Sequence, residues 1–141
     1  MTVAQSQPMT GTIRRSRTSE HRLRLVLAAN AITSGVGGIA GFAAAGWWST
    51  ELGVDNVTLV RIVSAALVVF AVDVALAAAR GSRILDRATL AISAADVVWV
   101  LASLVIVAAG WLSGFGTVVA LVLAVGVADF AIAQLWLRRR L

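Results

Sequence analysis

Four stretches of mostly apolar residues dominate this 141-residue chain. Each is about 23 residues long, which is enough to cross a lipid bilayer as a helix. In all, 60% of the residues are hydrophobic and 13% are charged, whereas a soluble domain carries about 25% charged residues. A soluble fold of this length would leave a large apolar surface in water, which monomeric proteins rarely tolerate. We therefore predict an all-α integral membrane protein that folds as a transmembrane four-helix bundle.

The apolar pattern also sets the domain boundaries. It predicts spans at about 25–48, 57–79, 88–111 and 114–137, so that residues 23–141 form the transmembrane domain. Residues 1–22 are rich in Ser, Thr, Gln and Arg, a composition typical of a disordered tail. A cleaved signal peptide fits less well, because its apolar segment is usually only about 7–15 residues long.

The placement of the arginines predicts the orientation. They lie before span one, between spans two and three, and after span four, and only Arg61 lies toward the opposite ends. Because cytoplasmic loops carry an excess of basic residues, both termini are expected in the cytoplasm of a bacterium, with the spans in its inner (plasma) membrane. Trp47, Trp48 and Trp111 would then lie at the outer interface, where tryptophans are enriched.

The two halves of the chain share three short patterns in the same order. These pair residues 28–30 with 94–96, 44–49 with 108–113, and 67–77 with 123–133. Each pattern lies at the matching end of its span. The order predicts an internal repeat of two helical hairpins, related by an axis along the membrane normal because each hairpin begins and ends in the cytoplasm.

One polar residue in each span would be costly in lipid, namely Asn30, Asp73, Asp96 and Asp129. At 1.5 Å per residue, all four lie about 9–13 Å from the nearest cytoplasmic arginine, so they form one layer. An aspartate near the middle of a span costs about 2.5–3.5 kcal/mol on insertion scales. We therefore expect the four side chains to face the bundle interior, with at least one carboxyl group protonated near neutral pH.

Helical spacing of three or four residues adds further side chains to these faces. The Asp96 face gains Ser93, Trp99 and Ser103, and the Asn30 face gains Thr33 and Ser34. We interpret them as a polar face that supports the layer. Gly37 and Gly41, four residues apart, are expected to let another helix approach closely, as small residues do in membrane bundles.

Several classes of function are excluded by composition and motifs. The chain has no Cys and one His, so thiolate and multi-histidine metal sites are ruled out. No nucleophile elbow, zinc-binding helix or phosphate loop is present, so we expect no enzyme, cofactor or metal. The formal charge of +5 does not indicate nucleic-acid binding, because the arginines adjoin the apolar spans. The expected partners are the lipid bilayer and a second copy or another membrane protein.

The chain resembles small four-span integral membrane proteins of high-GC bacteria. The likeness rests on the basic start before residues 23–30, the run Asp-Val-Val-Trp-Val-Leu-Ala-Ser at 96–103, and the final Gln134-Leu135-Trp136 followed by arginines. It covers roughly residues 22–140. This group is uncharacterised, so the resemblance implies a membrane location and no activity.

Two functional hypotheses follow from the sequence. One is a non-enzymatic membrane component that assists or assembles with a partner. The alternative is a small transporter or channel-like protein that uses the carboxylate layer for protons or cations, since intramembrane ionisable residues often mark ion pathways. The first predicts a dry, closed bundle with a broad surface of small residues, and the second predicts a water-accessible cavity that reaches the aspartate layer.

Overall fold

The structure is a computed structural model that describes residues 10–140. Its helices are α1 (Thr10–Ala43), α2 (Ala45–Leu52), α3 (Val57–Ala79), α4 (Ser82–Ala108) and α5 (Gly114–Arg138). Within the described part of the chain, α1, α3, α4 and α5 each contain a segment long and apolar enough to span a membrane. The predicted all-α four-helix bundle is confirmed, and it is compatible with a multi-pass integral membrane protein.

The first predicted span is divided between two helices. Helix α1 ends at Ala43 and α2 begins at Ala45, with Ala44 between them at φ −107° and ψ 29°. The Ala44 N–H still donates to the carbonyl of Ala40 (3.1 Å), and the Trp48 N–H donates to that of Ala44 (2.9 Å). The helical path therefore continues through this break.

The helices extend beyond the apolar stretches at the arginine-rich end. Helix α1 begins at Thr10, so residues 10–22 of the predicted disordered tail are helical, while residues 1–9 lie outside the described residues. Helix α4 begins at Ser82 rather than 88. Polar residues continue a helix outside lipid where side-chain pairs support it, as the Glu20–Arg24 ion pair (2.7 Å) does one turn apart.

The bundle has one loosely packed side. Helix α1 packs along α3 and, less extensively, α5, and α4 packs along α5, while α3 and α4 touch least of these four pairs. Helices α1 and α4 therefore stand diagonally across the bundle. Large apolar side chains such as Val69, Val98 and Val122 are more than 60% exposed on its outer surface, which suits a lipid environment.

Close contact between α1 and α3 depends on glycine. A Cβ atom on Gly38 would lie 2.8 Å from the carbonyl oxygen of Ser64, and one on Gly41 would lie 2.5 Å from the Ser64 hydroxyl. Gly41 thus lies at a helix contact, as expected. Gly37 does not, since a Cβ there would meet nothing within 4 Å. Gly37 makes no such contact within the bundle, because a step of one residue turns a helix by about 100° and Gly38 occupies the packed face.

Two arginines join helices at one end of the bundle, which we call the arginine end. The Arg24 guanidinium donates to the carbonyls of Ala78 and Arg80, where α3 terminates. Arg138 on α5 forms an ion pair with Asp86 on α4 (2.7 Å). A cluster of buried apolar side chains lies between this end and the middle of the bundle, formed by Leu23, Leu27, Ala31, Val74, Ala77, Leu85, Ile92 and Leu137.

The opposite end is held by contacts between the end of α2 and Ser113, the residue that precedes α5. Gly53 adopts the left-handed conformation (φ 72°) that glycine tolerates best. The Ser113 N–H donates to the carbonyl of Leu52 (2.9 Å), and the Ser113 hydroxyl donates to that of Glu51. A Cβ on Gly116 would meet the Leu52 carbonyl at 2.6 Å, so this end also requires small residues.

Candidate functional site

A hydrogen bond between Asn30 and Asp96 crosses the interior of the bundle. The Asn30 Nδ2 group donates to Asp96 Oδ2 at 3.0 Å, and both residues are at most 3% exposed. Since α1 and α4 stand on the diagonal, this contact lies near the bundle axis. It confirms the expectation that these two residues lie at one depth and face inward.

Helix α5 contributes a second amide to the same oxygen. Gln134 Nε2 donates to Asp96 Oδ2 at 3.1 Å, and the Ser93 hydroxyl donates to Gln134 Oε1 at 2.9 Å. On the other side, the Ser34 hydroxyl donates to Asn30 Oδ1 at 3.1 Å. These hydrogen bonds form two short chains, from Ser34 through Asn30 and from Ser93 through Gln134, and both chains end at Asp96. We call these five residues the Asp96 network.

Gln134 is the member of this network that the sequence analysis does not assign to the polar layer. It is fully buried, four residues before Arg138 and three after the buried Ala131. The available signal was this spacing, because a position three residues from a small residue on a packed face shares that face. Its nearness to the arginines made it resemble an ordinary interfacial residue.

Asp73 and Asp129 do not face the interior, and the expectation that they do is wrong. Both are exposed on the outer surface of the bundle. In α3 the inward stripe includes the buried Ala71 and Val74, and in α5 it includes Ala131. Asp73 and Asp129 lie one and two residues away from these stripes, a rotation of about 100° or 200°. The cost of exposure to lipid therefore did not decide their orientation.

The supporting residues divide into two groups. Ser93 and Ser34 belong to the Asp96 network. The hydroxyl groups of Thr33 and Ser103 instead donate to backbone carbonyls four residues earlier in their own helices, at 2.9 Å each. The hydroxyl groups of these two residues are hydrogen-bonded within their own helices, as is common for Ser and Thr, so they are not part of the network.

A cavity of about 200 Å³ lies beside Asp96. Its polar side chains are those of Asp96 and Ser34. The remaining lining residues are Ala66, Leu67, Phe70, Ala95, Trp99 and Val127. The hydrogen bonds that Asn30 and Gln134 donate to the carboxylate both end at Oδ2. Trp99, which was assigned to the polar face supporting the layer, forms part of the cavity wall.

The Asp96 carboxylate has polar neighbours but no basic one among the described residues that contact it. Both amides are neutral, and the arginines Arg24 and Arg138 are engaged at the arginine end. The described residues contain no group of three or more His, Cys, Asp or Glu that could hold a metal ion. The arrangement can therefore accept hydrogen bonds and a positive charge, but it offers no multidentate metal ligand set.

These features define an α-helical bundle with the length and apolarity of a four-span membrane protein. Compared with protein families, curated proteins and solved structures, the chain shows no match.

Proposed function

We propose that this chain is a non-enzymatic integral membrane protein that binds a proton or a small cation at Asp96. The supporting observation is a carboxylate that is 3% exposed, is bonded only to neutral groups, and borders a cavity. A buried charge needs a compensating charge or it neutralises by taking up a proton. The buried Asp96 carboxylate, whose hydrogen-bond partners are neutral, is therefore expected to bind a proton or a cation.

The membrane and its orientation belong to the same proposal. Arginine placement supports a multi-pass protein of the bacterial inner membrane with both termini in the cytoplasm. Asp96 would then lie about 13 Å from the cytoplasmic arginine Arg87, within the hydrocarbon region. A carboxyl group at this depth is placed to exchange protons or cations between the two halves of the membrane.

The Asp96 network also supports a specific alternative. Its hydrogen bonds join α1, α4 and α5, and a purely structural bundle would use such bonds to fix which helices are neighbours. The exposed Asp73 and Asp129 add weight to a component that assembles with a second copy or another membrane protein, because such a partner would remove these carboxyl groups from lipid.

Infrared difference spectroscopy of the protein in lipid nanodiscs tests the proposal. We expect a protonated-carboxyl C=O band that changes with pH in the wild-type protein and is lost in Asp96→Asn. Asp73→Asn is the matched control, since it removes an intramembrane carboxyl group outside the cavity, and it should leave that band in place. If the pH-dependent band is the same in wild type and Asp96→Asn, then Asp96 does not exchange protons.

A flux assay separates transport from binding. In proteoliposomes that contain a trapped pH indicator, an imposed pH gradient should decay faster with wild-type protein than with Asp96→Asn. Equal decay in the two samples, together with an Asp96 band that titrates, would indicate a proton-binding bundle without transport.

A further inference from the structure

The cavity beside Asp96 lies at the loosely packed side of the bundle. It is lined by Ala66, Leu67 and Phe70 on α3 and by Ala95, Asp96 and Trp99 on α4. Helices α3 and α4 are joined by the short connection at Arg80–Gly81, yet they pack together less than the other neighbouring pairs. A gap between these two helices therefore borders the cavity.

Small exposed residues mark the mouth of this gap. Ala66 on α3 and Ala95 on α4 both line the cavity and are both exposed on the bundle surface, whereas Ser34 and Val127, on α1 and α5, are only partly exposed. All four positions lie in the middle part of their helices, away from both loop-bearing ends. The opening is consequently on the flank of the bundle, where the surrounding surface is apolar except for the exposed Asp73, two turns from Ala66 along α3.

The residues that line the cavity favour an organic cation over a divalent metal ion. Magnesium and calcium ions require about six or more oxygen ligands, and this cavity offers one carboxylate and one hydroxyl. An alkylammonium group has little need of oxygen ligands and is attracted to a carboxylate and to aromatic faces. Phe70 and Trp99 provide rings beside Asp96, and alanine, leucine and valine side chains provide apolar contact for an attached hydrocarbon chain.

We propose that the Asp96 cavity opens sideways to the bilayer between α3 and α4 and binds the cationic head of an amphiphilic amine dissolved in the membrane. The inference rests on the proposed function, because it requires Asp96 to bind a cation. It adds the chemical class of the ligand and its route, which runs through lipid rather than from water at either end.

Trp99 serves as the reporter in the test. In a variant with the tryptophans at 47, 48, 111 and 136 replaced by Phe, Trp99 is the one remaining indole. Decyltrimethylammonium is titrated into nanodiscs that contain this variant, with decanol as the uncharged probe. We expect a saturable change in Trp99 emission with the ammonium probe and no saturable change with decanol.

Two substitutions and one control identify the site. Asp96→Asn, which removes the charge, and Ala95→Leu, which fills the mouth while keeping the carboxyl group, should each weaken binding about tenfold or more. Ala102→Leu adds the same side chain to another exposed position of α4 that does not line the cavity, and it should bind as the parent does. Equal affinity in all variants would show simple partitioning into the bilayer and would overturn the proposal.

Quenching distinguishes the route. A lipid that carries a nitroxide on its acyl chain should quench Trp99 strongly, and Ala95→Leu should reduce this quenching. Strong quenching by aqueous acrylamide with none by the labelled lipid would place the opening in water and overturn the lateral route. If Asp96 titrates in the infrared spectrum but its substitution does not change binding of the ammonium probe, the ligand class is wrong and the proton site stands. If Asp96 neither titrates nor affects binding of the probe, both proposals fail.

Discussion

Exchanging Asn30 and Asp96 separates the geometry of the network from the position of its charge. In the wild-type protein the Asn30 amide donates across the bundle to Asp96, whose acceptor oxygen also receives Gln134. In the exchanged protein (Asn30→Asp with Asp96→Asn), the amide on α4 donates to the carboxylate on α1, and its carbonyl oxygen accepts from Gln134. Ser34 still has an oxygen at position 30 to which it can donate.

The three variants have different expected stabilities. At a pH at which both carboxyl groups are ionised, Asn30→Asp alone places two acceptors 3.0 Å apart, so it loses a buried hydrogen bond and should cost about 1–3 kcal/mol. Asp96→Asn alone should change stability by less than about 1 kcal/mol, because both amides reach one oxygen, Oδ2, which an Asn carbonyl can replace. The exchanged protein retains the number of interhelical bonds and should also stay within about 1 kcal/mol of wild type.

Reversible unfolding in mixed micelles titrated with a denaturing detergent measures these differences. The double-mutant cycle should give a favourable coupling of about 1–3 kcal/mol between the two positions. Ser103→Ala is the control, because its hydroxyl bonds within α4, and it should show no coupling to position 30. An exchanged protein as unstable as Asn30→Asp would refute the reasoning, since it would show that the contact does not fix the packing of α1 against α4.

Three further outcomes are expected. Gly38→Ala should destabilise the bundle by about 1–3 kcal/mol by overpacking against the backbone of α3, whereas Gly37→Ala should be neutral or stabilising by up to about 1 kcal/mol; equal effects in the same unfolding assay would contradict the assigned face. Asp129→Leu should favour membrane insertion of α5 by about 3 kcal/mol in a translocon assay, and the absence of any gain would contradict the insertion cost assigned to this carboxyl group. Arg24→Ala should cost about 1 kcal/mol of unfolding free energy, because it releases two carbonyls at the end of α3, while the exposed Arg22→Ala should stay within about 0.5 kcal/mol.

The four long helices could be predicted from the sequence because the bilayer imposes a length on each apolar stretch, whereas the division of the first span into α1 and α2 could not. The predicted span 57–79 coincides with α3, and the span 114–137 differs from α5 by one residue. The first residues of α1 and α4, Thr10 and Ser82, could not be predicted from the apolar pattern. Outside lipid the hydropathy no longer changes where a helix begins, so the apolar pattern gives no signal for these two starts.

The position of each polar residue along its helix could be predicted, but the direction in which its side chain points could not. Depth depends on distance along the helix, which sequence gives directly. Direction depends on which face of the helix packs, and the spans of this chain are apolar on nearly every face. Asp96 and Asp129 are equally far from their nearest arginine, yet one is buried by two neighbouring helices and the other is exposed. The cost of burying a charge alone did not distinguish them.

The Asp96 network lies between a closely packed apolar cluster and a cavity. Toward the arginine end, Leu27 and Val74 belong to a closely packed apolar cluster, and beyond Asp96 lies the cavity. Lipid tails are as apolar as leucine, so apolar contact alone gives little preference for one arrangement of the helices. Hydrogen bonds from α1 and α5 to one oxygen on α4 supply that preference, while α3 and α4 pack together only loosely. The same three residues can thus fix the fold and hold a carboxylate beside the cavity, so a structural role for the network does not exclude a binding role for Asp96.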